Sequence, residues 1–374
     1  MKGSIRRRSK NSWEISLDLG RNSSGKRLRK FLNVKGSRRE ADRKLREILS
    51  TLDRGLPIDS KTITVSEFLR RWLADCVSIQ TRPRTYERYE SDVRLHIEPV
   101  IGHLKLSQLS PSDIQSLESD LLLSGKSSSS VRHVHIVLKS ALKRAMRWGL
   151  LYRNVADLVD APRVQRTEID PPDIGVAMRI FDEASKGPYG PPIAFLAETG
   201  CRRGEALAMS WSRIDLDAGI AYITKSLQRI GRQGLKFTDP KSRQGIRKVK
   251  LGSRTVDMLR EHRGKQLLKQ VELSEIWEEN DLVFPGPTGK PLDPATLTRN
   301  FIKIVRKLGL ENVRLHDMRH FHASQLYANG LQLKDLQQRM GHSSISVTAD
   351  IYTHVDIGNQ DEALEAFEKS LSDA

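Results

Sequence analysis

Cysteine is nearly absent: the 374 residues contain two, Cys76 and Cys201, far apart and without a CxxC pairing. That excludes a disulfide-stapled scaffold and a cysteine zinc site, and it fits a reducing cytosol. Long uncharged apolar runs are missing too. The arginine-rich start is not followed by the apolar segment of a signal peptide, so a soluble, non-exported protein is expected. No internal repeat and no low-complexity tract occur, which argues against a repeat array or a disordered tract. The Gly-Lys segment Gly286 to Pro291 lacks the spacing and the Ser or Thr of a P-loop. Nor is there a carboxylate cluster that suggests a catalytic metal.

What is abundant is positive charge. Lys and Arg number 63 against 46 Asp and Glu, a formal charge of +17 with a pI near 9.9. A polyanionic partner follows, nucleic acid first, although a ribosomal or membrane-surface protein can be equally basic. The excess is uneven: residues 1–55 hold 17 basic and 6 acidic side chains, +11 of the +17.

A chain of this length is expected to fold as several domains. Trp13, Ile15, Leu17 and Leu19 alternate as a strand, Asn22-Ser23-Ser24-Gly25 supplies a turn, and Lys26 to Val34 reads as a second strand. Ser37 and Glu40 form a capping box ahead of a helix with Ala41, Leu45 and Ile48 on one face. Such a ribbon, with Arg27, Arg29 and Lys30 on or beside it, has the shape to enter a major groove. The plainer alternative is a solvated basic arm. A linker follows at 55–62, then four helices: one capped by Thr64 and Glu67, one around Thr85 to Ile97, one from Ser110-Pro111, and one from about Ser129 to Trp148. The last carries Arg132, Lys139, Lys143 and Arg147, either DNA contacts or an ordinary solvated face. A Pro-rich stretch, Pro162 to Pro172, marks the next boundary. Beyond it helices dominate, with strand-like pieces at Gly219 to Ile230 and Arg247 to Leu251 predicting one short antiparallel sheet. The acidic end, Asp361 to Ala374, spaces Leu364, Phe367 and Leu371 as a one-faced helix that needs a docking surface on its own domain or on a neighbouring subunit.

Four segments carry reactive side chains. In Glu198 to Glu205 a helix breaks at Gly200 and restarts, placing Arg202 at a helix start with Glu205 one turn along to orient it. Pro240 to Gly245 puts Lys241 in a turn where it can reach a ligand. Leu315 to His320 begins a helix that stops at Gly330, with His316 and Arg319 on one face. Met340 to Ser344 leads, across a turn, to Ile351-Tyr352-Thr353-His354. Taken singly these are a surface ion pair, a solvated lysine and a core aromatic. His316 and His320 at i, i+4 also raise a zinc metalloprotease, but the position after His316 is Asp317 where that chemistry wants Glu, and no third ligand is evident.

Taken together, the four segments resemble the tyrosine recombinases, the phage-integrase family, which order an arginine box, a hairpin lysine, H-x-x-R, G-H and a nucleophilic tyrosine along the chain. The resemblance implies catalytic roles for Arg202, Lys241, His316, Arg319, His342 and Tyr352, with Glu205 supporting the first arginine. Met340 replaces the usual leucine before Gly341, and Phe321 stands where a small or polar residue is common. The implied fold is multidomain and mainly α with small antiparallel sheets. It comprises a β-ribbon-plus-helix arm-type DNA-binding domain (1–55), a four-helix core DNA-binding domain (62–160), and a mixed α+β catalytic domain with a tail helix (170–374). The implied function is site-specific strand exchange through a 3′-phosphotyrosyl link, without metal or nucleotide cofactor. Implied partners are double-stranded DNA attachment sites, a homotetramer on synapsed DNA and an accessory DNA-bending or excision factor, in the nucleoid of a bacterial cytoplasm. Two alternatives stay open: a type IB topoisomerase-like nicking-closing enzyme and a catalytically silent DNA-binding regulator.

Overall fold

Ile15 and Leu17, two apart in the sequence, are both fully buried, and this alternation sets the architecture of the N-terminal segment. The computed structural model describes residues 3–21, 27–53, 63–165, 171–240 and 243–345. In it β2 (Ser12–Arg21) pairs antiparallel with β3 (Arg27–Lys35), as the alternation predicts, and also with β1 (Gly3–Ser9). The expected two-stranded ribbon is therefore a three-stranded sheet, β1-β2-β3. β1 is illegible in the sequence because Gly3–Ser9 holds one aliphatic residue, Ile5; its strand conformation comes from its partner, with Ile5 standing opposite Ile15. Helix α1 (Arg38–Asp53) lays Ala41 and Ile48 on the sheet, its start closed by the Ser37–Glu40 capping box: Ser37 N–H donates to Glu40 Oε2 at 2.6 Å and Glu40 N–H to Ser37 Oγ at 3.3 Å. In register, Arg29 stands opposite Asp18 and Lys30 opposite Leu17. The side chains of Leu19, Arg27, Arg29 and Lys30, and the turn at 22–25, lie outside the described residues.

The chain divides into two compact units, Met1–Arg166 and Thr167–Ala374. The first also contains a helical core. Thr64 caps α2 (Val65–Trp72) through a reciprocal pair, Thr64 N–H to Glu67 Oε2 at 2.8 Å and Glu67 N–H to Thr64 Oγ1 at 3.2 Å. The helix continues through a wider π turn (Leu73–Val77) to Gln80. α3 (Pro83–Asp92) does the same through Val93–Ile97 to Ile101, so it starts earlier and runs further than the apolar pattern indicates; Pro83 is suited to a first helical turn, where no N–H partner is required. α4 (Pro111–Leu123) and α5 (Ser128–Arg147) complete the four, and α5 buries Val131, Val134, Leu138, Leu142 and Ala145 as its stripe predicts. On its outer side Arg132 donates to the Pro162 carbonyl at 3.3 Å and Lys139 pairs with Asp157 at 2.9 Å, while Lys143 and Arg147 are exposed. No helix among the described residues is long and apolar enough to cross a membrane.

The second unit gathers α6 (Ile174–Ser185), α7 (Gly190–Thr199), α8 (Arg203–Leu207), α9 (Ser253–Glu272), α10 (Pro294–Lys307) and α11 (Asp317–Ala328) around a core that includes Phe195, Leu207, Phe284 and Phe301, while α12 (Leu333–Met340) buries Leu336 and Met340 against Ala323 of α11 in a smaller cluster. The sequence predicts one sheet here; the structure has two. β4 (Ile214–Asp215), β5 (Ile220–Ile223) and β8 (Arg247–Lys250) form one, and β6 (Ser226–Ile230) and β7 (Gly234–Thr238) a separate hairpin. The run Gly219 to Ile230 thus changes partners midway: Ile223 stands opposite Arg247, but Ser226 opposite Thr238. Both halves alternate, so nothing in the period reveals the break. The β6–β7 hairpin turns at Gly231–Gln233, so the segment containing Lys241 joins two sheets and is not that hairpin's tip. Lys241 itself, Tyr352 and the acidic tail lie outside the described residues.

Candidate active site

Helix α7 ends because Gly200 turns left-handed at φ +67°. A Cβ there would also press to 2.6 Å from the His322 ring and 2.8 Å from Met340 Sδ. The turn delivers Arg202, extended at φ −69° and ψ 149°, to the start of α8. Glu205 accepts the Arg202 backbone N–H on Oε2 at 2.9 Å and Arg202 Nη1 on Oε1 at 2.9 Å. Arg202 Nη2 donates to the carbonyl of Gly341 at 3.1 Å, and Gly341 closes α12 with a second left-handed turn.

Arg319, in the first turn of α11, donates through Nη1 to Gly200 O and through Nη2 to Met340 O at 2.5 Å. Carbonyls at the C-terminal ends of α7 and α12 therefore face both guanidiniums, where unsatisfied acceptors and the negative end of the helix dipole favour a cation. Arg319 is 2% exposed, whereas 43% of the Arg202 side chain remains open to solvent. Burial, then the neighbouring Arg202 charge, lowers the Arg319 pKa to about 9, which leaves it charged at neutral pH.

A third guanidinium, Arg247 on β8, completes the cluster. Its Nη2 meets Glu205 Oε2 at 2.8 Å with both side chains nearly buried, and its Nε donates to Arg339 O at 2.6 Å. One carboxylate is thus shared by two arginines, and Arg202, Arg247 and Arg319 leave an excess of positive charge. Burial works to raise the Glu205 pKa, but Arg247 and Arg202 outweigh it and hold it below the ordinary carboxylate value. A carboxyl whose pKa is depressed by folding contributes stability above its unfolded pKa and loses it as pH falls through the folded one. Glu205→Gln is expected to destabilise the protein at pH 7 by about 3–5 kcal/mol, because it strands the buried Arg247. Denaturant unfolding across pH 3–7 checks this (range chosen to bracket the Glu reference of about 4.3): the gap to wild type should narrow on acidification, and a constant gap would contradict the assignment.

Three histidines surround the arginines. His342 follows Gly341; burial first, then Arg319 and Arg202, lowers its pKa to about 3, so it is a neutral imidazole at physiological pH. His316, at the foot of α11, keeps much of its surface in solvent, yet burial of the rest, then Arg319, pushes its pKa down, with Asp317 opposing. His320, one turn on, meets His316 edge to face, ring centroids 4.9 Å apart at 88°. Asp317 is engaged by Arg314, whose backbone N–H reaches Oδ2 at 2.8 Å and Nη2 reaches Oδ1 at 2.8 Å. Among the described residues no group of three His, Cys, Asp or Glu is placed to hold a metal ion.

Of the residues singled out in the sequence, Arg202, Glu205, His316, Arg319 and His342 are brought together. Sequence reasoning missed Arg247 and the Arg339–His322 pair, in which Arg339 Nε donates to His322 Nε2 at 3.0 Å. A signal existed for Arg247: it shares a strand face with Val249, which is fully buried, so an arginine there faces inward.

The sequence profile of the phage integrase family matches residues 179–358, and that of the phage integrase N-terminal SAM-like domain matches residues 64–122. The chain belongs to the phage integrase family. As a member of the tyrosine recombinases it is a site-specific DNA recombinase. It is 28% identical over 365 residues to a "Tyrosine recombinase XerC-like" protein of Caldanaerobacter subterraneus subsp. tengcongensis, covering 92% of this chain and 93% of that one. It is 29% identical over 350 residues to an "Integrase" of Streptomyces ambofaciens, covering 91% and 88%. Among solved structures, the Tn1549 transposon integrase with a circular intermediate DNA aligns with TM-score 0.70 at 18% identity, over 82% of this chain and all (100%) of that one. A lambda integrase tetramer on a Holliday junction aligns with TM-score 0.58 at 17% identity, over 93% and 94%. Such relatives do not favour the topoisomerase-like or silent-regulator alternatives.

Proposed function

We propose that the recombinase cleaves DNA by attack of the Tyr352 phenolic oxygen on a backbone phosphorus, giving a 3′-phosphotyrosyl link and a free 5′-hydroxyl. The observation that carries this reading is the clustering of three guanidiniums, with Arg202 and the buried Arg247 sharing the Glu205 carboxylate and Arg319 held on the Gly200 and Met340 carbonyls. Their surplus charge, locked by helix-end carbonyls, forms a preorganised site for a phosphate whose charge builds in the transition state. His316, held neutral, takes the phenolic proton; Lys241 returns a proton to the departing 5′-oxygen; neutral His342 donates a hydrogen bond to the phosphate. One phosphoester replaces another, so religation requires no ATP.

Two features support the roles of the residues outside the described range. A Cβ at Gly341 would lie 3.0 Å from Gln244 O, so the chain just after Lys241 touches the turn that carries His342. Tyr352 lies seven residues beyond Ile345, the last described residue, and an extended chain of that length spans at most roughly 25 Å, within reach of the cluster. The test begins by selecting a duplex from a random-sequence pool with the full-length chain, then nicking it as a suicide substrate. A denaturant-resistant adduct mapping to the Tyr352 peptide is expected; no adduct would overturn the enzymatic reading.

The wider proposal is integration or excision of a phage or other mobile element in a bacterial cytoplasm, at the nucleoid. A homotetramer would act on two duplexes with an accessory bending or excision factor, and the acidic tail would make the subunit contact. It keeps the three-domain division, 1–55, 62–160 and 170–374, and assigns DNA contacts to Arg27, Arg29, Lys30, Lys143 and Arg147. Arg132 and Lys139, already engaged with Pro162 and Asp157, are the weaker candidates. Deleting residues 1–55 should flatten the salt dependence of DNA binding, since each phosphate that the arm no longer neutralises takes about 0.9 from the log–log slope. An unchanged slope would show that the arm does not touch DNA.

A further inference from the structure

His320 has no place in the mechanism above, yet it sits at its centre. Its side chain is buried, 6% exposed, and Nδ1 has no hydrogen-bond partner. A core histidine ordinarily has its nitrogens satisfied, and leaving a buried polar atom unpaired is unfavourable. What holds this ring on that side is therefore packing, and the contact the geometry defines is the edge-to-face meeting with His316 at 4.9 Å. His320 is also close enough to His342 to influence its charge.

Resting on the reading of His316 as the base, we infer that His320 is a positioning residue that orients the His316 ring and keeps water from its inner side. The charged and titratable groups facing this pair are Arg314, Asp317 and Arg319 at the start of α11, Arg202 ahead of α8, and His342 after α12. Among three arginines a hydrated His316 and a shielded one differ in proton affinity. Burial lowers the His320 pKa to about 4, so it stands beside the base as a neutral ring and adds no charge of its own. Opening its side to water relieves the desolvation that depresses His316, and the pH below which the base is protonated moves up.

The experiment is the rate of covalent adduct formation on the nicked, selected duplex from pH 5 to 8, bracketing the ordinary histidine pKa of about 6.5, for the full-length wild type, His320→Ala and His320→Phe. His320→Ala should slow cleavage at pH 7 by about tenfold or more, part of the 10²–10⁴ typical of a positioned base. It should also raise the acid limb by about one pH unit, with DNA affinity retained. His320→Phe, which keeps an aromatic ring without nitrogen, should restore most of the rate and return the limb towards wild type. A uniform rate loss with an unmoved limb, or Phe behaving as Ala does, would overturn the inference while the wild-type adduct stands. Absence of adduct from the wild type would bring down the parent reading and this one with it.

Discussion

Tyr352→Phe is expected to abolish the denaturant-resistant protein–DNA adduct on a nicked suicide duplex and to leave affinity for that duplex unchanged. The phenol has a reference pKa of about 10, so at neutral pH it brings no charge to the complex and at most one hydrogen bond to its stability. In this proposal binding energy is supplied elsewhere, by the basic arm and the arginine cluster. Covalency, in contrast, has a single source in this proposal: the oxygen that Phe lacks. The two readouts must separate completely, with no residual adduct beside full binding. An adduct formed by the Phe variant would require another nucleophile, and loss of binding would mean that the ring supports the fold.

The second large effect is expected at Arg202. Arg202→Lys keeps the charge and removes the fork. In the structure the guanidinium engages Glu205 Oε1 and Gly341 O at once through different nitrogens while nearly half of the side chain faces solvent. A lysine ammonium is one point charge on a flexible stem and cannot hold two fixed partners and a phosphate oxygen in a plane. Cleavage should fall by about 10²–10³, the loss typical of one preorganised donor, with little change in duplex affinity. Single-turnover cleavage at saturating protein isolates that step. A variant that cleaves at the wild-type rate would remove Arg202 from the transition state, and a loss that appears only as weaker binding would recast it as a DNA anchor. The same cluster explains why Arg247 is expected to matter without touching DNA: 6% of its side chain is exposed, and its nitrogens face Glu205, Gly245 O and Arg339 O.

Local features were readable because short-range rules determine them. Thr64 with Glu67, Ser37 with Glu40, and the apolar stripe of α5 each depend on residues within one or two helical turns. Likewise the helix break read at Gly200 is where the backbone turns to positive φ. Order and residue type along Arg202, Lys241, His316-x-x-Arg319, Gly341-His342 and Tyr352 sufficed to point to the family.

Partner choice was not readable. Gly3–Ser9 is a strand because β2 lies beside it, and the run from Gly219 to Ile230 divides because its halves find different neighbours, Arg247 in one sheet and Thr238 in the other. Arg247 and Glu205 are 42 positions apart, and Arg319 reaches carbonyls 119 and 21 positions away. Sequence by itself determined the family resemblance and the capped helix starts at Ser37 and Thr64, because capping, periodicity and residue order act locally. Only the tertiary structure decided which carbonyls and which carboxylate restrain the guanidiniums, because burying several cations together is tolerable only where distant helix ends supply the compensating acceptors.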